Sequence, residues 1–98
     1  NAYTDEDFRF TKTKVIVKLY EHGVDYVSRS QARRVIYGLE KFSTIILDFK
    51  GIKGIGQGFA DEIFRVYFKE HLKTKIVPQY APKAVLFMIK RASKEGLQ

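Results

Sequence analysis

Hydrophobic residues along the chain repeat first with the short period of strands and later with the longer period of helices. Segment 14–20 is rich in β-branched residues and predicts a strand, and the alternation over 24–27 predicts a short second strand. Segment 44–49 contains three consecutive aliphatic residues and predicts a strand buried on both faces, as in a parallel sheet. Segment 75–79 predicts a last strand with a proline near its end, where a missing backbone N–H is tolerated.

Between these strands the apolar spacing changes to that of amphipathic helices. Ser28 and Gln31 have the spacing of a capping box, and apolar residues then recur every three or four positions to about Lys41. A second helix is predicted over about 58–72. The third opens at the proline of the pair 81–82, because proline suits the first helical position. Its inner face is predicted to contain Ala84, Val85, Met88, Ile89 and Ala92.

Strands that alternate with helices predict an α/β domain. We expect a small, mostly parallel four-stranded sheet with three helices, in the order β-β-α-β-α-β-α. The domain would occupy residues 14–98. Residues 1–13 would be an N-terminal linker or a cloning remnant. Because the chain starts without methionine, we expect the domain to have been cut from a longer protein. Leu86 and Phe87 lie off the predicted inner face of the last helix, so they should be partly exposed, either under a neighbouring loop or as a hydrophobic docking patch.

Composition limits the classes of function. The 98 residues include no cysteine, which excludes a disulfide scaffold, a thiolate zinc site and a cysteine nucleophile. That absence fits a reducing compartment, and with no membrane-length apolar run we expect a cytoplasmic protein without a membrane partner. The net charge of +7 favours anionic partners. The stretch 73–94 has basic residues and no acid, which indicates either a solvated basic face or an anion-binding one.

Residue types suited to catalysis do not occur in a catalytic pattern. His22 and His71 have no partner at metal-ligand spacing, and no serine stands in a nucleophile elbow. Asp61 and Glu62 are adjacent, so on a helix they point about 100° apart, which is poor geometry for acid–base work. We therefore expect no metal, no cofactor and no enzymatic activity.

The loop 51–58 contains four of the seven glycines. One interpretation is tight packing of the loop on its strand. The other is contact with an anion or a partner through the bare N–H groups at a helix start. The spacing does not match the dinucleotide fingerprint, because Phe59 stands where the third glycine would be, and it is not a P-loop.

Two stretches, 28–34 and 55–65, carry a resemblance to a known family. Segment 47–65 as a whole resembles the central strand, loop and helix of STAS domains, which include anti-sigma-factor antagonists and the cytoplasmic tails of sulfate transporters. The closer resemblance is to an uncharacterised STAS-like branch in bacterial proteins, over roughly residues 14–92. Antagonists carry a phosphorylatable Ser or Thr at this helix start, whereas here the sequence reads Gly56-Gln57-Gly58-Phe59, so the phosphorylation switch does not transfer.

The resemblance implies a protein-binding signalling module whose partner is a histidine-kinase-like ATPase module in the same or a neighbouring protein. It also implies that the loop and the following helix face the partner. The predicted contact residues are Gly56, Gln57, Gly58, Phe59, Asp61, Glu62, Arg65, Arg29 and Arg33.

Other interpretations of the charged residues stay open. Asp61 and Glu62 also suit the positive end of the helix dipole. Arg29 and Arg33 share a helix face, where they could be solvated, form a salt bridge to Asp61 or Glu62, or bind phosphate. The alternative function is nucleic-acid binding, which the basic charge favours. The aromatic residues, however, fall mostly at core spacings, and no RNP or KH signature occurs.

Overall fold

The computed structural model describes residues 14–22 and 25–96, and the predicted N-terminal linker lies outside the described residues. The strands are β1 (Lys14–Lys18), β2 (Thr44–Asp48) and β3 (Lys75–Gln79). The helices are α1 (Arg29–Ile36), α2 (57–70) and α3 (Lys83–Gly96). The middle of α2, Glu62–Tyr67, is π-helical, and a short 3₁₀ turn, Leu19–His22, follows β1.

The three strands form a parallel sheet in the order β1-β2-β3. Right-handed crossovers in this order put α1 and α2 on the same face of the sheet. On that face Ile45 and Leu47 are fully buried and pack with helix side chains in one core. On the other face Ile46 is only partly buried and its neighbour Ile16 is exposed. The prediction that β2 is buried on both faces is therefore wrong within the described part of the chain.

The predicted four-stranded sheet is not confirmed, because segment 25–27 is irregular where it is described. Its backbone groups are bonded to helix starts instead of to a neighbouring strand. The Tyr26 carbonyl accepts from the Gly56 N–H at 2.8 Å, and the Val27 carbonyl accepts from the Phe59 N–H at 3.1 Å. The Val27 N–H donates to the Gln31 side chain at 2.8 Å. Residues 23 and 24 of the predicted strand lie outside the described residues.

Helix α1 ends five residues earlier than predicted. The backbone leaves the helix at Tyr37, with ψ at 127°, and Gly38 takes a positive φ of 78°, a conformation that suits glycine at a helix end. Leu39 and Phe42 nevertheless pack against the core from the turns that follow. These two residues continue the helical spacing of apolar positions in the sequence although they lie outside the helix, and the predicted end of α1 was therefore too late.

Helix α2 begins at Gln57 and contacts both α1 and α3. In α3, Val85, Ile89 and Ala92 are buried as predicted, whereas Ala84 is exposed. Leu86 and Phe87 are exposed, as the sequence indicated. Strand β3 has its predicted limits.

Candidate functional site

The predicted contact residues lie where the amino-terminal ends of α1 and α2 meet. The capping box at the start of α1 is present: the Ser28 hydroxyl accepts from the Gln31 N–H at 3.3 Å, and the Gln31 amide oxygen accepts from the Ser28 N–H at 2.9 Å. The Gln31 amide nitrogen also donates to the Asp25 carbonyl at 2.6 Å. One glutamine side chain thus fixes the whole segment 25–28 against the start of α1.

The same segment packs against the start of α2 through two glycines. A Cβ added to Gly56 would lie 2.5 Å from the Val27 carbonyl oxygen and 2.7 Å from the Val27 Cα. A Cβ on Gly58 would lie 3.4 Å from the Arg29 nitrogen, whereas one on Gly54 would meet nothing within 4 Å. Close packing against segment 25–28 thus accounts for Gly56, whereas a Cβ on Gly58 would make only ordinary van der Waals contacts.

Charged residues from both helices form an ion-pair cluster, consisting of Arg29, Arg33, Asp61, Glu62 and Arg65. The Arg65 Nε and NH2 groups contact the two Asp61 carboxylate oxygens at 2.5 and 2.6 Å. The Arg29 NH1 group contacts Asp61 at 2.5 Å and Glu62 at 3.6 Å, and the Arg33 NH1 group contacts Glu62 at 3.4 Å. Of the interpretations left open for the arginines, the salt bridge is therefore confirmed.

Both acids of the ion-pair cluster are buried, with exposed fractions of 5% for Asp61 and 9% for Glu62. Hydrogen bonds from Arg65 lower the pKa of Asp61 to about 2, while burial acts to raise it and Arg29 lowers it further. Asp61 is therefore ionised at neutral pH. Its charge is used inside the protein to hold two arginines, since buried carboxylates are found almost only with such partners.

The structure divides the predicted contact residues into two groups. Gln57, Arg29 and Arg33 are exposed, with 46% of the Arg29 side chain and 60% of the Arg33 side chain open to solvent. Phe59 is fully buried in the core, and Asp61 and Glu62 lie beneath the arginines, so these three shape the surface from within. The remaining members, Gly56, Gly58 and Arg65, are half-buried.

Sequence reasoning missed the exposed Val27, which lies between the starts of α1 and α2. Its exposed side chain adds an apolar group directly before the start of α1, and no sequence signal marked it. On this surface the exposed arginines and the Gln57 amide can form ion pairs and hydrogen bonds with another molecule, and Val27 can make an apolar contact.

Among residues 14–22 and 25–96, no group of three or more His, Asp or Glu side chains is placed to hold a metal ion. No helix in the same part of the chain has the length and apolar character needed to cross a membrane.

Comparison with known families gives a match. The family described as a STAS-like domain of unknown function matches residues 31–83, which is more than half of the 98 residues. The match includes β2, the glycine loop, α2 and β3. No curated protein and no solved structure gives a significant match. On this match over most of its sheet and its central helix, the chain belongs to the STAS-like family of domains of unknown function.

Proposed function

We propose that this STAS-like domain is a non-enzymatic, protein-binding module that works in signalling or regulation in the cytoplasm of a bacterium. Its contact surface would be the joined amino-terminal ends of α1 and α2, with Val27, Arg29, Arg33 and Gln57 as the exposed contacts. The observation that supports the proposal most is the ion-pair cluster, because buried acids hold two largely exposed arginines in fixed positions.

Fixed arginines favour binding because less side-chain freedom is lost when a partner arrives. A guanidinium group with exposed N–H groups can still donate to a carboxylate, and an arginine at the centre of an interface is a frequent energetic hot spot. The exposed Val27 side chain, two residues before Arg29 in the chain, supplies an apolar contact. The chemistry of the surface therefore fits a protein segment that carries a carboxylate beside an apolar side chain.

The family resemblance suggests a histidine-kinase-like ATPase module as this partner. The domain has no hydroxyl at the start of α2 for such a kinase to phosphorylate, since the sequence there is Gly56-Gln57-Gly58-Phe59. Binding would therefore be controlled by the state of the partner or by its concentration, and no transferred phosphate on this helix start would be needed.

The proposal is tested by affinity capture from a lysate of the source organism, followed by measurement of the dissociation constant with the purified captured protein. The test variant is Gln57→Glu, which adds a negative charge at the exposed start of α2, where it would repel the carboxylate of the partner. The matched control is Tyr37→Glu, which adds the same charge at the carboxyl end of α1, where the tyrosine side chain is 87% exposed.

We expect Gln57→Glu to weaken binding of the captured protein at least tenfold, and Tyr37→Glu to leave the dissociation constant unchanged. Equal binding by the wild type and both variants would contradict the assigned surface. Tight, strongly salt-dependent binding of generic DNA or RNA, with no protein captured, would replace the proposal by nucleic-acid binding.

A further inference from the structure

A second concave surface lies away from the helix starts, between α2, α3 and β3. This surface, named here the α2–α3 groove, encloses about 520 Å³. Its lining is almost entirely apolar. The residues that line it are Phe64, Arg65, Phe68, Lys69, Leu72, Ile76, Pro78, Ile89 and Ser93. Small-molecule sites in proteins have this size and composition, with mostly hydrophobic and aromatic walls and a few polar groups.

The two charged residues among those that line the α2–α3 groove, Arg65 and Lys69, are both basic. Two of its walls, β3 and α3, come from the stretch 73–94, which carries basic residues and no acid. The third wall adds Lys69, which is exposed at the rim and can extend its ammonium group over the apolar lining. Arg65 lies at the same rim and is paired with Asp61. A ligand with an apolar body and a negative head therefore complements the groove.

The edge of the sheet beside the groove is poorly suited to an added peptide strand. The Lys75 N–H donates to the Ser43 carbonyl at 2.9 Å, and the Gln79 carbonyl accepts from the Phe49 N–H at 2.8 Å. Because the bonding direction alternates along a strand, the backbone of Pro78 faces the outer edge. Proline has no N–H to donate there, which blunts the edge against strand pairing. A ligand is therefore expected to bind in the apolar groove and not by pairing with the edge of β3.

We propose that the α2–α3 groove binds a small amphiphilic anion, with a hydrocarbon chain or ring against Phe68, Ile76 and Ile89 and an acidic head near Lys69. The apolar lining provides affinity for the body, and the rim lysine provides the preference for a negative head. The residues that line the groove include Arg65 of the ion-pair cluster but none of the exposed contacts Val27, Arg29, Arg33 and Gln57, so either assignment can fail without the other.

The test is an NMR titration of the isotope-labelled domain with three probes below their micelle concentrations. Decanoate has an apolar chain and a negative head, decyltrimethylammonium has the same chain length and a positive head, and butyrate has the negative head without a long chain. We expect saturable shifts at Leu72, Ile76 and Ile89 with decanoate, at least fivefold weaker binding of decyltrimethylammonium, and no saturation with butyrate.

Two substitutions separate charge from shape. Lys69→Glu should weaken decanoate binding about three- to tenfold and strengthen binding of decyltrimethylammonium, whereas Lys53→Glu, at an exposed lysine in the glycine loop, should change neither. Ser93→Phe should fill the groove and abolish decanoate binding while the rest of the spectrum keeps its native dispersion.

Four outcomes would overturn the proposal. The first is decanoate shifts that do not saturate, and the second is saturable shifts centred on residues 27–33 and 56–58. The third is an acidic amphipathic peptide that binds the groove when decanoate does not, which would assign it to a protein partner. The fourth is a concentration-dependent dimer that Ser93→Phe abolishes, which would assign it to a second copy of the chain.

Discussion

Replacing Gly56 with alanine tests whether the starts of α1 and α2 are in direct backbone contact. The backbone of Gly56, with φ −81° and ψ 161°, is allowed for alanine, so any cost arises from contact alone. The added Cβ would lie 2.7 Å from the Val27 Cα, about 1 Å closer than the optimum of roughly 3.5–4.0 Å for two carbons. Segment 25–28 would have to move away from α2.

The magnitude follows from what that movement disrupts. Overpacking costs about 1–3 kcal/mol. Two backbone hydrogen bonds, from Gly56 to Tyr26 and from Phe59 to Val27, would weaken, at about 0.5–1.5 kcal/mol each. Alanine also restricts the conformations of the unfolded chain, which raises the free energy of unfolding by about 0.4–1 kcal/mol. We expect the free energy of unfolding to fall by about 2–4 kcal/mol, which lowers the melting temperature of a domain this size by roughly 10–25 °C.

The matched control is Gly54→Ala in the same loop. No atom lies within 4 Å of its added Cβ, so the free energy of unfolding should be unchanged or should rise by up to about 1 kcal/mol. Urea and thermal unfolding followed by far-UV circular dichroism suit a chain without tryptophan. Equal stability of the two alanine variants would refute the close contact between the helix starts.

Three further predictions concern individual side chains. The pKa of Asp61 is lowered from 3.8 to about 2, so its ionised form adds about 2 kcal/mol to the free energy of unfolding above pH 4. This contribution is lost as the pH falls from 4 towards 2. The Asp61→Asn variant should therefore lack this loss of stability in acid-unfolding curves. Tyr26→Phe should lower the free energy of unfolding, measured in urea, by about 1–2 kcal/mol, because the buried hydroxyl donates to the Leu19 carbonyl at 2.8 Å. Tyr67→Phe should leave the free energy of unfolding unchanged, because the Tyr67 hydroxyl is buried without a hydrogen-bond partner among the described residues. Gln31→Ala should lower the free energy of unfolding by about 1–3 kcal/mol and speed amide hydrogen exchange at Val27 and Ser28. Unchanged exchange at these two residues would contradict the role of Gln31.

The order of the main elements could be predicted from local sequence because each carries its own signal. The capping box at Ser28 and Gln31 marks the start of α1, and the aliphatic run at 45–47, followed by a glycine-rich segment, marks β2 and its loop. The end of α1 could not be placed, because Leu39 and Phe42 continue the helical spacing while belonging to core-packed turns. Gly38, which adopts a positive φ just after the last helical residue, marks the end of α1 better than the spacing of apolar residues does.

The candidate surface was only partly predictable. Its location followed from the glycines and the family resemblance, but the burial of Asp61 and Glu62 did not, since acidic residues are rarely buried unless they are paired. Both acids lie beyond the first turn of α2, which begins at Gln57, so the interpretation that they serve the helix dipole is wrong. Their burial depends on arginines about thirty residues earlier in the chain, a tertiary relation that no local pattern contains. The same holds for Gly56, whose role depends on the backbone of Val27.

The central claim is that the joined starts of α1 and α2 form the surface that a protein partner contacts. NMR cross-saturation of the labelled domain in complex with the captured, unlabelled partner tests it most directly. The account predicts that the strongest signal losses fall on residues 27–33 and 56–58. Losses concentrated on α3 or on the exposed sheet face around Ile16, with none at the two helix starts, would contradict it.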